Sequence, residues 1–216
     1  MFRMNRVYRW QRHVYDATRR CYLLGRDRMI AELKPAAGTN VLEIGCGTGR
    51  NLVQAACRNP YVQFCGIDVS KEMLTSARIA ISHAGLDSRI TVAYGDAAAA
   101  NPQLSFALPR FHHVMISYAL AMVPDWRQVL ETAVTKLCPG GRLHVVDFAN
   151  FDGLPGIASV QLSRWLSLFE VSPRGEPERK HTAIAASSAA DLTFDCPFRG
   201  YAHSAVLTPG AGPGKP

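Results

Sequence analysis

No run of 18 or more apolar residues occurs in this 216-residue sequence, so no membrane-spanning helix is expected. The N-terminus carries arginines but lacks an apolar stretch followed by a small-residue cleavage site, which excludes a secretory signal. Cysteine pairing is missing too. Cys21, Cys46, Cys57, Cys65, Cys138 and Cys196 are scattered without a C-x-x-C, so neither a disulfide framework nor a zinc site is expected. The chain therefore reads as a reduced cytosolic protein with no bound metal. There is no internal repeat. Charge is neither scarce nor extreme: 19% of residues are charged and 48% hydrophobic, an ordinary globular composition. The length favours one domain with a substantial core.

The net charge of +7 is unevenly placed. Residues 1–30 hold eight arginines (3, 6, 9, 12, 19, 20, 26 and 28) against Asp16 and Asp27, so +6 of the total sits there. Such a segment on a near-neutral domain suggests an anionic partner, nucleic acid or a membrane surface. Over residues 2–24, Val7, Trp10, Val14, Ala17, Cys21 and Leu24 recur every three or four positions and predict an amphipathic helix. Its arginines step by about 300° and fan around the circumference. The helix either lies among lipid headgroups or packs on the domain with a solvated polar face.

After Gly25 a second helix is expected over Arg26–Leu33, closed by Pro35. Strands are expected at 41–44, 64–67, 90–93, 111–117 and 142–147, with Cys138-Pro139-Gly140-Gly141 as a tight turn before the fifth. Helices are expected at 51–58, 71–84 (capped by Ser70) and 126–136. This alternation indicates βαβ units on a parallel, doubly wound sheet. Residues 155–170 predict an apolar insertion helix, and 192–196 with 202–207 a terminal antiparallel hairpin, making seven strands. The Gly/Pro-rich stretch 208–216 is expected to be disordered. The division read from this is 1–34 as basic helices, 35–207 as the main domain and 208–216 as a tail.

The chemistry centres on Val41-Leu42-Glu43-Ile44-Gly45-Cys46-Gly47-Thr48-Gly49-Arg50-Asn51: a strand, a turn of three glycines, then a helix start. Glycines there let a ligand approach the main chain closely. Asp68, about twenty residues further on, stands where an acid accepts ribose hydroxyls in dinucleotide folds. The spacing G-x-G-x-G, in place of G-x-G-x-x-G, disfavours a dehydrogenase, and Glu43 suits a cofactor with a cationic amino-acid end.

These residues resemble motif I of the class I S-adenosylmethionine-dependent methyltransferases. Gly95-Asp96-Ala97 resembles the family's adenine-binding turn, and Cys138-Pro139-Gly140-Gly141-Arg142-Leu143 its lead into strand five. The resemblance implies a Rossmann-like fold, S-adenosylmethionine as cofactor and S-adenosylhomocysteine as its product. It implies a cofactor site at Arg26, Glu43, Gly45, Cys46, Gly47, Gly49, Asn51, Asp68, Val69, Met73, Gly95, Asp96, Ala97 and Ser117. With Arg12-His13-Val14-Tyr15-Asp16, Leu23-Leu24-Gly25-Arg26-Asp27-Arg28 and Ser117-Tyr118-Ala119-Leu120, the chain resembles closely the bacterial diacylglyceryl-homoserine N-methyltransferases, which perform three methylations that complete a betaine lipid. Bacterial phosphatidylethanolamine N-methyltransferases are the nearest alternative. RNA methylation is disfavoured because the Asn/Asp-Pro-Pro-aromatic motif for base amines is absent at 117–120. The resemblance implies a lipid substrate, an anionic membrane partner and a location on the inner face of the cytoplasmic membrane. Tyr15, Tyr118 and His144 are the candidate acceptor-site residues. Tyr8, Tyr22, Trp126 and Trp165 complete the aromatic pool for a cationic product, and His13 and His181 are weaker candidates.

Overall fold

A computed structural model describes residues 23–98, 106, 108, 110–167 and 176–210. The expected helix over 2–24, and with it Tyr15, lies outside these residues except for Leu23 and Leu24, which are not helical. A seven-stranded sheet forms the centre, ordered β3-β2-β1-β4-β5-β7-β6. Its strands are β1 (Asn40–Ile44), β2 (Gln63–Asp68), β3 (Ile90–Tyr94), β4 (Phe111–Ser117), β5 (Leu137–Phe148), β6 (Ala190–Asp195) and β7 (Ala202–Pro209). The first five run parallel, and β7 pairs antiparallel with both β5 and β6.

Strand side chains alternate between faces, and each face buries its own cluster. Val41, Met115, Val146 and Phe148 face α1 (Arg26–Leu33), α2 (Arg50–Arg58) and α3 (Lys71–His83). Leu42, Ile44, Val114, Ile116, Leu143 and Val145 face α4 (Trp126–Thr135) and α6 (Pro177–Ser187). The Ser70 hydroxyl accepts the Met73 amide at 3.2 Å and caps α3 as expected, a contribution of about 1 kcal/mol. α1 buries Met29, Ile30 and Leu33, so it belongs to the main core. Arg28 pins it to the far hairpin, bonding Asp195 at 2.6 Å and Glu32 at 2.7 Å.

Three elements differ from the sequence-based expectation. The Pro-Gly-Gly stretch does not precede β5 but is a bulge within it: Phe111 pairs with Leu137 and His113 with Arg142, so the extra residues loop out before the ladder resumes. Helix α6 was not expected, although Pro177 opens it and Glu178 sits in its first turn. Thr208 and Pro209 continue β7 where a tail was expected, while residues 211–216 lie outside the described part. The insertion helix is α5 (Gly156–Ser167), and no helix among the described residues is long and apolar enough to cross a membrane.

Candidate active site

The strand order reverses between β1 and β4, and ligands in such sheets bind outside the carboxyl ends at this switch point. A cleft of about 580 Å³ lies there. It is lined by Leu23, Arg26, Glu43, Gly45, Cys46, Gly47, Thr48, Arg50, Asn51, Val53, Gln54, Ser76, Ala80, Ser117 and Tyr118.

Gly45, Gly47 and Gly49 have φ of 73°, 54° and 77°, a region side chains disfavour. A Cβ on Gly45 would also stand 2.7 Å from the Ala119 Cβ. The glycines therefore shape the turn and bring main chain to the cleft. Gly49 opens α2 without a side-chain cap, so the first amides of the helix present a partial positive charge.

Glu43 is the central charged group. It is 1% exposed. Asn51 donates its side-chain amide to Glu43 Oε1 at 2.8 Å, and Oε2 is buried with no hydrogen-bond partner. Burial pushes this carboxyl up to about 8, against the lowering pull of the Asn51 hydrogen bond and the Arg26 charge. Arg26 is itself buried, its Nε donating to the Leu23 carbonyl at 3.2 Å. Arg50 reaches Asp27 at 3.1 Å. A lone carboxyl oxygen, two guanidinium groups and a helix N-terminus suit a zwitterionic amino-acid end of a ligand.

Asp68 ends β2 and accepts the Gly47 amide at 2.8 Å and the Ser70 amide at 2.9 Å. A carboxylate offers about four acceptor positions, so ribose hydroxyls can add to these bonds. Asp68, Val69, Gly95, Asp96 and Ala97 lie at the neighbouring strand ends and Met73 in the first turn of α3, and none of them is among the residues lining the cleft. The Gly95 amide joins the two turns by donating to the Asp68 carbonyl at 3.1 Å. Asp96 is exposed and accepts the Ala98 amide at 2.9 Å.

Among the acceptor-site candidates, Tyr118 lines the cleft, but its hydroxyl donates to the Leu24 carbonyl at 2.5 Å and its ring stacks edge-on against Phe148 at 4.6 Å. Burial pushes its phenol up. Through that hydrogen bond it fastens the segment at Leu24 beside the cleft. His144 is a correction. It lies in the same row across the sheet as Glu43, but Met115 of β4 stands between them, and it is 2% exposed with its Nε2 3.2 Å from His113 Nδ1. It takes no part in the cleft. Trp126 lies on α4 and His181 on α6, packed against the opposite face. Sequence reasoning missed Leu23, Thr48, Arg50, Val53, Gln54, Ser76 and Ala80. Of these, only Arg50 carried a signal, as the polar residue opening the helix after the last glycine. The Ser117 hydroxyl and Gln54 Oε1 add two further buried atoms without partners.

A family model described as a methyltransferase domain matches residues 35–173. The chain is 30% identical over 164 residues to the O-methyltransferase resE of Aspergillus sclerotiorum, covering 76% of this chain and 60% of that protein. It is also 30% identical over 155 residues to the demethylmenaquinone methyltransferase of Listeria monocytogenes serotype 4a, covering 71% and 59%. The chain thus spans little more than half the length of these curated relatives. A solved structure of phosphoethanolamine N-methyltransferase 2 from Haemonchus contortus, in complex with S-adenosyl-L-methionine, superposes with a TM-score of 0.70. Identity there is 16%, over 86% of this chain and 52% of that one, a likeness of fold.

Proposed function

The chain belongs to the class I S-adenosylmethionine-dependent methyltransferases, and from that premise we propose that it methylates the amine of diacylglyceryl-homoserine three times in succession. The unpartnered Glu43 Oε2, in a cleft that Arg26 and Arg50 also line, carries the cofactor half of this reading. Glu43 takes the ammonium of the methionyl group, Arg26 with the start of α2 its carboxylate, Asp68 the ribose hydroxyls and Asp96 the adenine amine. Bound there, S-adenosylmethionine supplies a methyl group on a sulfonium already activated for transfer. The protein's task is then alignment and exclusion of water. Tyr118 and the 23–26 segment close one side of the cleft. The cleft's described titratable residues are Arg26, Glu43, Cys46, Arg50 and Tyr118. None of these described residues is assigned as a general base: the amine loses its proton to water, assisted by desolvation.

The acceptor half is supported by the close resemblance of residues 12–28, 45–51 and 117–120 to the lipid enzymes. It is also supported by α5, where Ile157 is 78% and Val160 53% exposed, as a helix resting on acyl chains would be. Peripheral attachment to the inner face of an anionic membrane belongs to the same proposal. A second reading, methylation of a small-molecule hydroxyl, is favoured by the named activity of the 30% identical fungal relative.

The test is incubation with labelled S-adenosylmethionine and vesicles carrying diacylglyceryl-homoserine, beside parallel tubes with phosphatidylethanolamine and with a phenol. Successive mono-, di- and trimethyl homoserine lipid in the mass spectrum is expected. Label confined to phosphatidylethanolamine or to the phenol overturns the lipid assignment.

A further inference from the structure

We propose that Glu43 holds a proton before the cofactor arrives and surrenders it when a ligand's ammonium group enters, so that cofactor binding releases one proton. The inference rests on the cofactor reading above. Its geometric basis is the environment of one carboxyl group. Glu43 sits on β1, nine-tenths buried and more, flanked across the sheet by Gly66 and Met115. One oxygen takes a single neutral hydrogen bond from Asn51, and the other faces the cleft wall without one.

A carboxylate so placed pays heavily for its charge unless cations compensate it directly. From α1, the Arg26 charge pulls the carboxyl down, while its Nε donates to the Leu23 carbonyl. From α2, Arg50 is drawn outward to Asp27 and touches Asn51 at 3.4 Å. From β2, Asp68 adds a like charge that opposes a second anion. From the glycine turn, the buried Cys46 thiol is pushed up and stays neutral. From β4, Ser117 and Tyr118 bring uncharged hydroxyls. No described group forms a direct ion pair with Glu43, and the upward push to about 8 agrees with this balance.

The proton balance is simple. The Glu43 O–H bond breaks, the proton passes to bulk water, and the resulting carboxylate accepts an N–H of the ligand's ammonium. An α-ammonium keeps its own proton to about pH 8. Between pH 6 and 7 the site must therefore deprotonate Glu43 before it can use it, and observed affinity rises about tenfold per pH unit. Both cofactor and product carry the same ammonium, so both are linked in the same way.

The measurement is calorimetric titration of the full chain with S-adenosylhomocysteine at pH 6.5, in two buffers of small and large ionisation enthalpy. The slope of apparent enthalpy against buffer enthalpy gives the protons exchanged, expected close to one released. 5′-Methylthioadenosine, which lacks the amino-acid end, should bind with none released. The isosteric Glu43→Gln should bind S-adenosylhomocysteine with none released and with affinity flat from pH 6 to 7. Tight binding by the unaltered chain with no proton exchanged overturns the linkage and leaves the cofactor reading standing. Equal release with 5′-methylthioadenosine also overturns it, because the proton would then not belong to the ammonium subsite. Absence of binding by either nucleoside removes the cofactor reading itself.

Discussion

Acidification should weaken this protein through two buried imidazoles. His144 and His203 are 2% and 3% exposed, and burial pushes each down to about 3. Both stay neutral in the folded chain where an unfolded histidine, near 6.5, takes up a proton. The unfolded state thus binds more protons below pH 6.5, and stability falls with pH from there toward 3. Each imidazole approaches a cost of about 1.4 kcal/mol per pH unit below 6.5, so the pair costs about 3 kcal/mol between pH 6.5 and 5. Glu43 works the other way. Raised to about 8 from an unfolded value of 4.5, it binds its proton in the folded state first and returns about 2 kcal/mol over the same window. His181, lowered by burial, adds to the loss. A net fall of about 1 kcal/mol or more is a measurable share of a typical 5–15 kcal/mol. The contribution of the pair can be isolated by variants that keep the hydrogen bonds. His203→Asn retains a donor toward the Phe148 carbonyl, now 3.0 Å from Nδ1, and His144→Gln a polar atom toward His113. Urea unfolding followed by circular dichroism at pH 6.5 and 5 should show the unaltered chain losing about 3 kcal/mol more than the double variant. Parallel losses in the two proteins would refute the reasoning.

Gly66→Ala places a Cβ 2.6 Å from Leu52 Cδ1 and 2.9 Å from the Cys46 side chain. This overpacking should cost about 1–3 kcal/mol, read as a lower melting temperature by scanning calorimetry. Asp68→Asn removes the charge from the hydrogen bonds to Gly47 and Ser70. It should weaken S-adenosylhomocysteine binding by roughly tenfold to hundredfold; unaltered calorimetric affinity would remove Asp68 from the ribose role. Tyr118→Phe frees the Leu24 carbonyl at a cost of about 1 kcal/mol. It should raise the acceptor KM more than it lowers kcat, and an unaltered steady-state profile would deny the fastening role.

The strands of the central sheet were legible because short apolar runs between turns have few other fates, and the glycine turn with Glu43 and Asp68 announced the site. Helix α6 was not legible: Glu178, Arg179 and Lys180 crowd its first turns, and few of its residues, among them His181, Ile184 and Ala185, meet the core, a stripe too thin for periodicity to reveal. The bulge in β5 was read as a break because Pro139, Gly140 and Gly141 carry turn chemistry, while the resumed pairing with β4 is a long-range fact. His144 shows a different limit. Alternation tells which face a strand residue occupies, not which strand separates it from the ligand, and Met115 of β4 stands between His144 and Glu43. The contact of Tyr118 with Leu24, and its own positive φ of 52°, likewise depend on a neighbour distant in sequence.

Strand β7 lies between β5 and β6, although it is synthesised after both. Until residues 202–209 emerge, β5 has an unpaired edge and β6 has no strand to join. From position 148 to position 202 is 54 residues, about 3–11 s at 5–20 residues per second. Throughout that interval the amides and carbonyls of β5, beside the apolar Leu143 and Val145, are open to any extended chain nearby. The hairpin that completes the sheet therefore also covers the edge at which a nascent chain could mis-associate.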